Sequence, residues 1–196
     1  MQPEIEVQFF PRALFAEDLA SLLQAGFKPT LPRTLMRRQM FTLPNVANSL
    51  QRARVRDEGT RVTMTTKRVD HDGIDGTQEA EVIIESFDDG VAFLTALGLQ
   101  PRGFQENYCT RWKNDAGTEV SYSEWPGMPG YFEIEGPTEE HVYSVLENVF
   151  GISRTDASVA LAGNAAIMYN WAIGIPEQVI WELLSITFEA PPQWPG

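Results

Sequence analysis

The sequence predicts an α+β protein built on an antiparallel sheet, with helices outside it. Three observations carry this. Many short segments alternate polar and apolar residues, the period of a half-buried strand. Glycine-bearing polar turns join some of these segments as hairpins. Helical spacing is confined to short stretches between and after them.

The elements follow in chain order. Glu4–Phe10 alternates and reads as a strand. Ala16–Ala25 carries Leu19, Leu22 and Leu23 at helical spacing and stops at Gly26. Thr34–Leu43 reads as a strand, and Ser49–Arg56 and Thr60–Lys67 as two more joined through Asp57-Glu58-Gly59. Glu79–Glu85 is a further strand, and Asp89–Leu97 a short helix closed by Gly98. Gln105–Lys113 and Thr118–Trp125 form a hairpin across Asn114-Asp115-Ala116-Gly117. Pro126–Gly130 is a turn, Tyr131–Glu135 a strand and Thr138–Phe150 a helix. Thr138 is the N-cap candidate, with Glu139 and Glu140 in the first turn favouring the helix dipole. The remainder is helix-like in parts and ends in the loop Ala190–Gly196.

Strand parity sorts the charges, because residues two apart share a face. Glu4, Glu6 and Gln8 lie opposite Ile5, Val7 and Phe9. Arg54 and Arg56 share a face, as do Thr63, Thr65 and Lys67, and Glu79 and Glu81. Gln105, Asn107, Cys109 and Arg111 form another row, and Glu133 and Glu135 the last. Any one row alone is what the wet face of a half-buried sheet looks like. Taken together, acids align with acids and arginines with arginines on separate strands. If the sheet closes, the rows line one cavity with both signs of charge, suited to a cation and a polyanion.

Composition narrows the function. The 196 residues are 43% hydrophobic and 21% charged, ordinary values for a single globular domain. The single cysteine, Cys109, excludes an internal disulfide, and with only His71 and His141 a Cys/His zinc site is excluded as well. A net charge of -12 opposes broad capture of nucleic acid. The apolar stretches near Val159–Ile173 and Val179–Phe188 are interrupted and too short to span a bilayer, and the start lacks a signal-peptide pattern. A cytoplasmic location, no membrane and no nucleic acid are therefore expected.

The ordered series of motifs resembles the CYTH superfamily, which includes class IV adenylate cyclases, thiamine triphosphatase and inorganic triphosphatases. Glu4-Ile5-Glu6-Val7-Gln8 is similar to its ExExK opening. Arg54-Val55-Arg56 followed by Thr63–Lys67 is similar to its RxR, hairpin, LTLK segment, and Glu79-Ala80-Glu81 to its ExE segment. Phe104–Trp112 with Val120–Gly136 resembles the QEN, hairpin, WPG and EIEG run of the class IV cyclase-like branch, and Ile167–Ile175 that branch's tail. The resemblance covers nearly the whole chain. It implies one domain over residues 1–196, an antiparallel eight-stranded β-barrel or tunnel with peripheral helices, and a helical tail from residue 151 packed on it. It also implies a small-molecule triphosphate such as ATP, bound with Mg²⁺ or Mn²⁺; a homodimer is the candidate assembly.

The side chains suit those roles. Magnesium is held by one or two carboxylates plus substrate phosphates, so Glu4, Glu6, Glu133 and Glu135 are the candidate metal ligands. Arg54, Arg56, Lys67 and Arg111, with Glu79 and Glu81, are the candidate substrate-binding residues, since guanidinium forks fit phosphate oxygens. Glu4, Glu6 and Lys67 are the candidate catalytic residues. Phosphoryl chemistry rests on positioning and charge rather than a protein nucleophile, so Cys109 reads as a barrel residue. The competing reading is that Arg54, Arg56 and Lys67 only neutralise the acids as structural ion pairs.

The chain departs from the family pattern at four places. Gln8 stands where the family has lysine, Cys109 where it has arginine, Tyr108 at a neighbouring basic position and Ser123 at an aspartate. Arg111, Arg37 and Arg38 are candidates to restore positive charge. Three functions compete: a weakened metal-dependent cyclase-like or triphosphatase enzyme, an inactive nucleotide- or polyphosphate-binding module, and a protein-interaction domain.

Overall fold

The computed structural model describes residues 1–11, 15–43, 51–159 and 165–192. Its strands are β1 (Gln2–Glu4), β2 (Glu6–Phe9), β3 (Lys28–Thr42), β4 (Gln51–Asp57), β5 (Val62–Val69), β6 (Thr77–Ile84), β7 (Gln100–Lys113), β8 (Glu119–Glu124), β9 (Tyr131–Glu135), β10 (Ser158–Val159) and β11 (Ser185–Ile186). Its helices are α1 (Phe15–Gln24), α2 (Phe87–Ala96), α3 (Glu139–Asn148), α4 (Ala165–Ile173) and α5 (Glu177–Glu182). Parts of three expected segments lie outside the described residues: 49–50 at the start of a strand, 160–164 in an apolar stretch and 193–196 in the terminal loop.

The antiparallel sheet runs β1-β6-β5-β4-β3-β7-β8-β9-β2. It curls back on itself because residues 2–9 serve both of its edges. Gln2–Glu4 pair with β6, and Glu6–Phe9 pair with β9. Counting that segment once, the nearly closed barrel has eight walls, as the resemblance implied. The short strands β10 and β11 add to β2 and β7 from outside the ring.

Two strands are longer than the alternation suggested. β3 begins at Lys28 and β7 at Gln100. Prolines at 29, 32 and 101 interrupt the pattern, and the β3–β7 ladder absorbs them through register shifts near Pro29, Leu31 and Phe41.

The apolar core lies outside the barrel. Val7, Phe9, Val120, Phe132 and Ile134 point outward and meet Leu22 of α1 and Val142, Val145 and Leu146 of α3. Burying each such side chain contributes about 1.5–3 kcal/mol. Thr138 caps α3, its hydroxyl accepting from the His141 amide at 3.3 Å. Phe41, Ala53 and Val55 form a second cluster under Phe87, Val91 and Leu94 of α2. Gly90 allows that approach, since a Cβ there would lie 2.5 Å from Ile84 Cδ1. The tail makes the third cluster: Met168, Tyr169, Ile180 and Ile186 pack on Trp125 and Tyr131. The Tyr169 hydroxyl donates to the Pro126 carbonyl at 2.6 Å. With the apolar faces turned outward, the alternate, polar faces line the interior. No helix among the described residues is long and apolar enough to cross a membrane.

Candidate functional site

The barrel encloses a cavity of about 290 Å³. Every residue the sequence singled out for the site lines it: Glu4 and Glu6 from the N-terminal wall, Arg54 and Arg56 from β4, Lys67 from β5, Glu79 and Glu81 from β6, Arg111 from β7, and Glu133 and Glu135 from β9. Period-2 alternation brings them there, because the outward positions between them are committed to the clusters under the helices.

The acids form a neighbouring group. Glu6 faces Glu135 across the β2–β9 ladder, and Glu135 faces Glu119 across β8–β9. Like charges directly opposite on a sheet repel. Glu6 is 6% exposed with its Oε1 unpartnered. Burial, then the charge of Glu4, pushes its carboxyl well above the usual range, against the pull of Lys67. Desolvation, then Glu4 and Glu119, raises Glu135 to about 7 at the rim. Glu133 is held by neutral donors instead: Gln8 Nε2 at 2.7 Å, Ser123 Oγ at 2.8 Å and Ser121 Oγ at 3.2 Å.

The cations divide into paired and unpaired sets. Lys67 ion-pairs with Glu4 and, at 2.8 Å, with Glu79; burial opposes its charge, yet the nearby Glu4 and Glu6 raise its pKa. Arg56 pairs with Glu58 and reaches Glu81 at 3.7 Å. Structural neutralisation, the competing reading of the charges, thus describes Glu4, Glu79 and Glu81. It does not describe Glu6, Glu133 or Glu135, which have no ion-pair partner among the described residues. Arg54 likewise makes no ion pair with any described residue, and its Nε is unpartnered.

Sequence reasoning missed the role of Glu58. Its place in the turn Asp57-Glu58-Gly59 reads as solvated, yet it is 2% exposed and sits among three guanidiniums. Its Oε2 accepts from Arg61 Nε at 2.9 Å and from Arg111 Nη1 at 3.3 Å, while Oε1 pairs with Arg56. Burial pushes its carboxyl up, but Arg56, Arg111 and Arg61 outweigh that and hold it at about 2. Arg111 also reaches Glu119 at 3.5 Å, so it is engaged at Glu58 and Glu119 rather than free to replace the arginine absent at Cys109. Of the two other candidates, Arg38 points inward, hydrogen-bonded to Asn107 Oδ1, while Arg37 lies outside and pairs with Glu106 at 3.6 Å. Arg52 also points inward, and its parity with Arg54 and Arg56 was the signal for it. Trp125 and Tyr131 also line the cavity; their spacing of two from Ser123 and Glu133 was the signal for them.

Cys109 is a wall residue. It is 4% exposed, and burial raises its thiol, which keeps it protonated and a poor nucleophile.

The donor set suits a divalent cation in one respect and lacks another. Among the described residues, no three acids or other ligands converge closely enough to hold a metal by themselves. Magnesium needs only one or two carboxylates when phosphate oxygens and waters complete its shell. Glu6, with an unpartnered oxygen and no cationic partner, and its cross-strand neighbour Glu135 meet that smaller requirement.

No family model matches the chain, and no curated protein does. Solved structures do. A proposed adenylate cyclase from Vibrio parahaemolyticus aligns with a TM-score of 0.66 at 13% identity, covering 80% of this chain and 93% of that one. A protein from Pyrococcus horikoshii OT3 aligns at 0.64 and 17%, covering 80% and 94%. A proposed adenylyl cyclase from Hippeastrum, described as revealing a dominant triphosphatase activity, aligns at 0.58 and 16%, covering 91% and 99%. At these identities the likeness is one of fold, and the shared fold is the one the CYTH resemblance implied.

Proposed function

We propose that the barrel binds a triphosphate together with a divalent cation, and that it turns this ligand over slowly, as a triphosphatase or cyclase. The observation that carries the reading is the opposition of unpaired acids and unpaired arginines inside one cavity of about 290 Å³. A triphosphate answers the arginines, and a cation answers the acids. The described activity of the Hippeastrum protein supports the same chemistry for this fold.

In this reading Arg54 binds phosphate oxygens through its free guanidinium, and Lys67 adds a point charge from the adjacent strand β5. Glu6 and Glu135 hold Mg²⁺ or Mn²⁺, with Glu133 and Glu4 beside them. The bound cation supplies charge stabilisation for the phosphate chain. Glu133, oriented by hydrogen bonds from Gln8, Ser121 and Ser123, is the carboxylate best arranged to accept a proton from an attacking hydroxyl or water. Arg56 and Arg111 orient Glu58 and so fix the hairpin that borders the cavity.

A second reading, a module that holds the ligand without turning it over, is favoured by the neutral wall at Asn107 and Cys109. The Asn107 side-chain oxygen Oδ1 is occupied by Arg38, and Cys109 brings no charge. Incubation with ATP and with tripolyphosphate, each with Mn²⁺ or Mg²⁺, separates the two. Metal-dependent release of phosphate or pyrophosphate, abolished in Glu133→Gln, supports the enzyme. Metal-dependent binding without release supports the module, and the absence of both refutes the proposal.

A further inference from the structure

A second, smaller cavity of about 50 Å³ adjoins the first, sharing Arg38, Arg54 and Trp125 with it. Its far side is built by α4 and α5, through Ala165, Ala166, Ile180 and Trp181. We propose that this cavity is a seat for one phosphoryl-sized oxyanion, held by Arg38, Arg52, Arg54 and Arg102.

The charge census argues for an anion. The chain has a net charge of -12, yet four arginines and no carboxylate line this cavity. All 27 acidic side chains of the sequence are among the described residues, and none forms an ion pair with Arg38, Arg52 or Arg54. Arg38 and Arg52 are each 8% exposed. Nε of Arg38, Nη2 of Arg52 and Nε of Arg54 are buried donors with no acceptor among the described residues, while Nη2 of Arg38 donates to Asn107 Oδ1. Leaving such groups unpaired is costly, and several like charges share the cost. Burial, then repulsion from Arg54, already lowers Arg38 to about 9 and Arg52 to about 10.

Size and shape select the anion. The space is too small for a nucleoside. The arginines approach from β3, β4 and β7, and a tetrahedral oxyanion offers acceptors in several directions where a planar carboxylate offers two oxygens in one plane. The apolar cap from α4 and α5 shields one side of the cavity from water, which strengthens the charged contacts there. Arg102 belongs to that cap, its Nε donating to the Trp181 carbonyl at 2.8 Å and its guanidinium lying 4.8 Å from the Trp181 ring centre. Two sources share this chemistry, free orthophosphate and the terminal phosphoryl group of a longer chain.

The test uses the full chain in chelator, so that no metal takes part, with orthophosphate replacing chloride at equal ionic strength. Calorimetric titration of the wild type is expected to saturate, with a matching rise in Tm. Arg52→Gln is expected to weaken binding about tenfold or more, while the surface change Arg154→Gln leaves it unaltered. Arg52→Gln removes an unpaired buried charge, so its Tm in chloride is expected to hold or rise; Arg102→Gln provides the same comparison should it fail to fold. Lack of saturable wild-type binding up to about 10 mM orthophosphate overturns the proposal. So does an equal loss in Arg154→Gln, which would reduce the effect to net charge. Tripolyphosphate distinguishes the sources: weakened binding in Arg52→Gln and competition by orthophosphate assign the seat to a chain terminus, whereas simultaneous binding assigns it to free phosphate. Because no metal is present, saturable orthophosphate binding without metal-dependent triphosphate binding would sink the proposed function and leave this site standing.

Discussion

Gln8 donates from Nε2 to Glu133 Oε1 at 2.7 Å, and Ser123 donates to the other oxygen of the same carboxylate at 2.8 Å. These are two of the positions at which the chain departs from the CYTH pattern. A lysine and an aspartate are replaced together by neutral donors that satisfy one remaining acid. The two departures thus alter the cavity's net charge little, while removing a cation that could bind phosphate.

Restoring that cation is therefore informative. Gln8→Lys puts an ammonium beside Glu133 and within the acid group. We expect triphosphate affinity in Mn²⁺ to tighten about tenfold, the scale of one charge-assisted hydrogen bond. Cys109→Arg alone is expected to do less, because Cys109 is 4% exposed and an arginine there must displace its neighbours. Direct binding of tripolyphosphate to both variants checks this; unchanged affinity in a folded Gln8→Lys protein would show that the missing charge is not limiting.

Glu58→Gln is expected to lower stability by up to about 3 kcal/mol, since it takes from the buried guanidiniums of Arg56 and Arg111 their nearer anion and leaves them only Glu81 at 3.7 Å and Glu119 at 3.5 Å. Chemical denaturation measures the loss. Tripolyphosphate is expected to recover more of it in the variant than it adds to the wild type. Equal stability of the two proteins would contradict the clamp described for Glu58.

The pH dependence has a definite sign. Glu6 and Glu135 titrate above their unfolded range, so their contribution to stability is greatest below about pH 4.5. It is lost as pH rises through the folded values, about 7 for Glu135. Glu58 acts oppositely: its contribution is present above the unfolded value and is lost as pH falls toward about 2. Metal-free protein should accordingly show a falling Tm between about pH 5 and 8, and Mn²⁺ should offset the fall at the alkaline end. Glu6→Gln should flatten the metal-free curve and weaken Mn²⁺ binding. A Tm that rises with pH over this window in the absence of metal would contradict the assignment.

Cys109 gives the simplest check on the chemistry. Cys109→Ala should retain whatever turnover the wild type shows, and native protein should resist thiol alkylation until it is denatured. Loss of turnover with retained binding would bring the thiol back into the mechanism.

Much of the site was legible because a strand's two-residue period is strict. Glu4 with Glu6, Arg54 with Arg56, and Glu133 with Glu135 needed only parity to be placed on one face. Glu58 was not legible: a turn acid is ordinarily solvated, and only the fold brings Arg111 from another strand beside it. Arg38 and Arg37 could not be separated without the β3–β7 register, which the proline interruptions obscured. The capped end was also hidden. It depends on Ser185–Ile186 pairing with Phe104–Gln105, a contact between distant parts of the chain that no local pattern records.

The placement of the apolar core outside the barrel bears on how such a protein can change. Val7, Tyr122, Phe132 and Ile134 hold the walls from without, whereas Gln8, Ser123 and Glu133 alternate with them on the other face, where Gln8 and Ser123 donate to Glu133. Because the inner row contributes little of the apolar burial, its residues can be exchanged, provided hydrogen bonds and charges remain matched, at small expense to folding. One scaffold can then drift among ligands, or lose a reaction while keeping its shape. The same separation offers an engineer a lining that can be rewritten without redesigning the support.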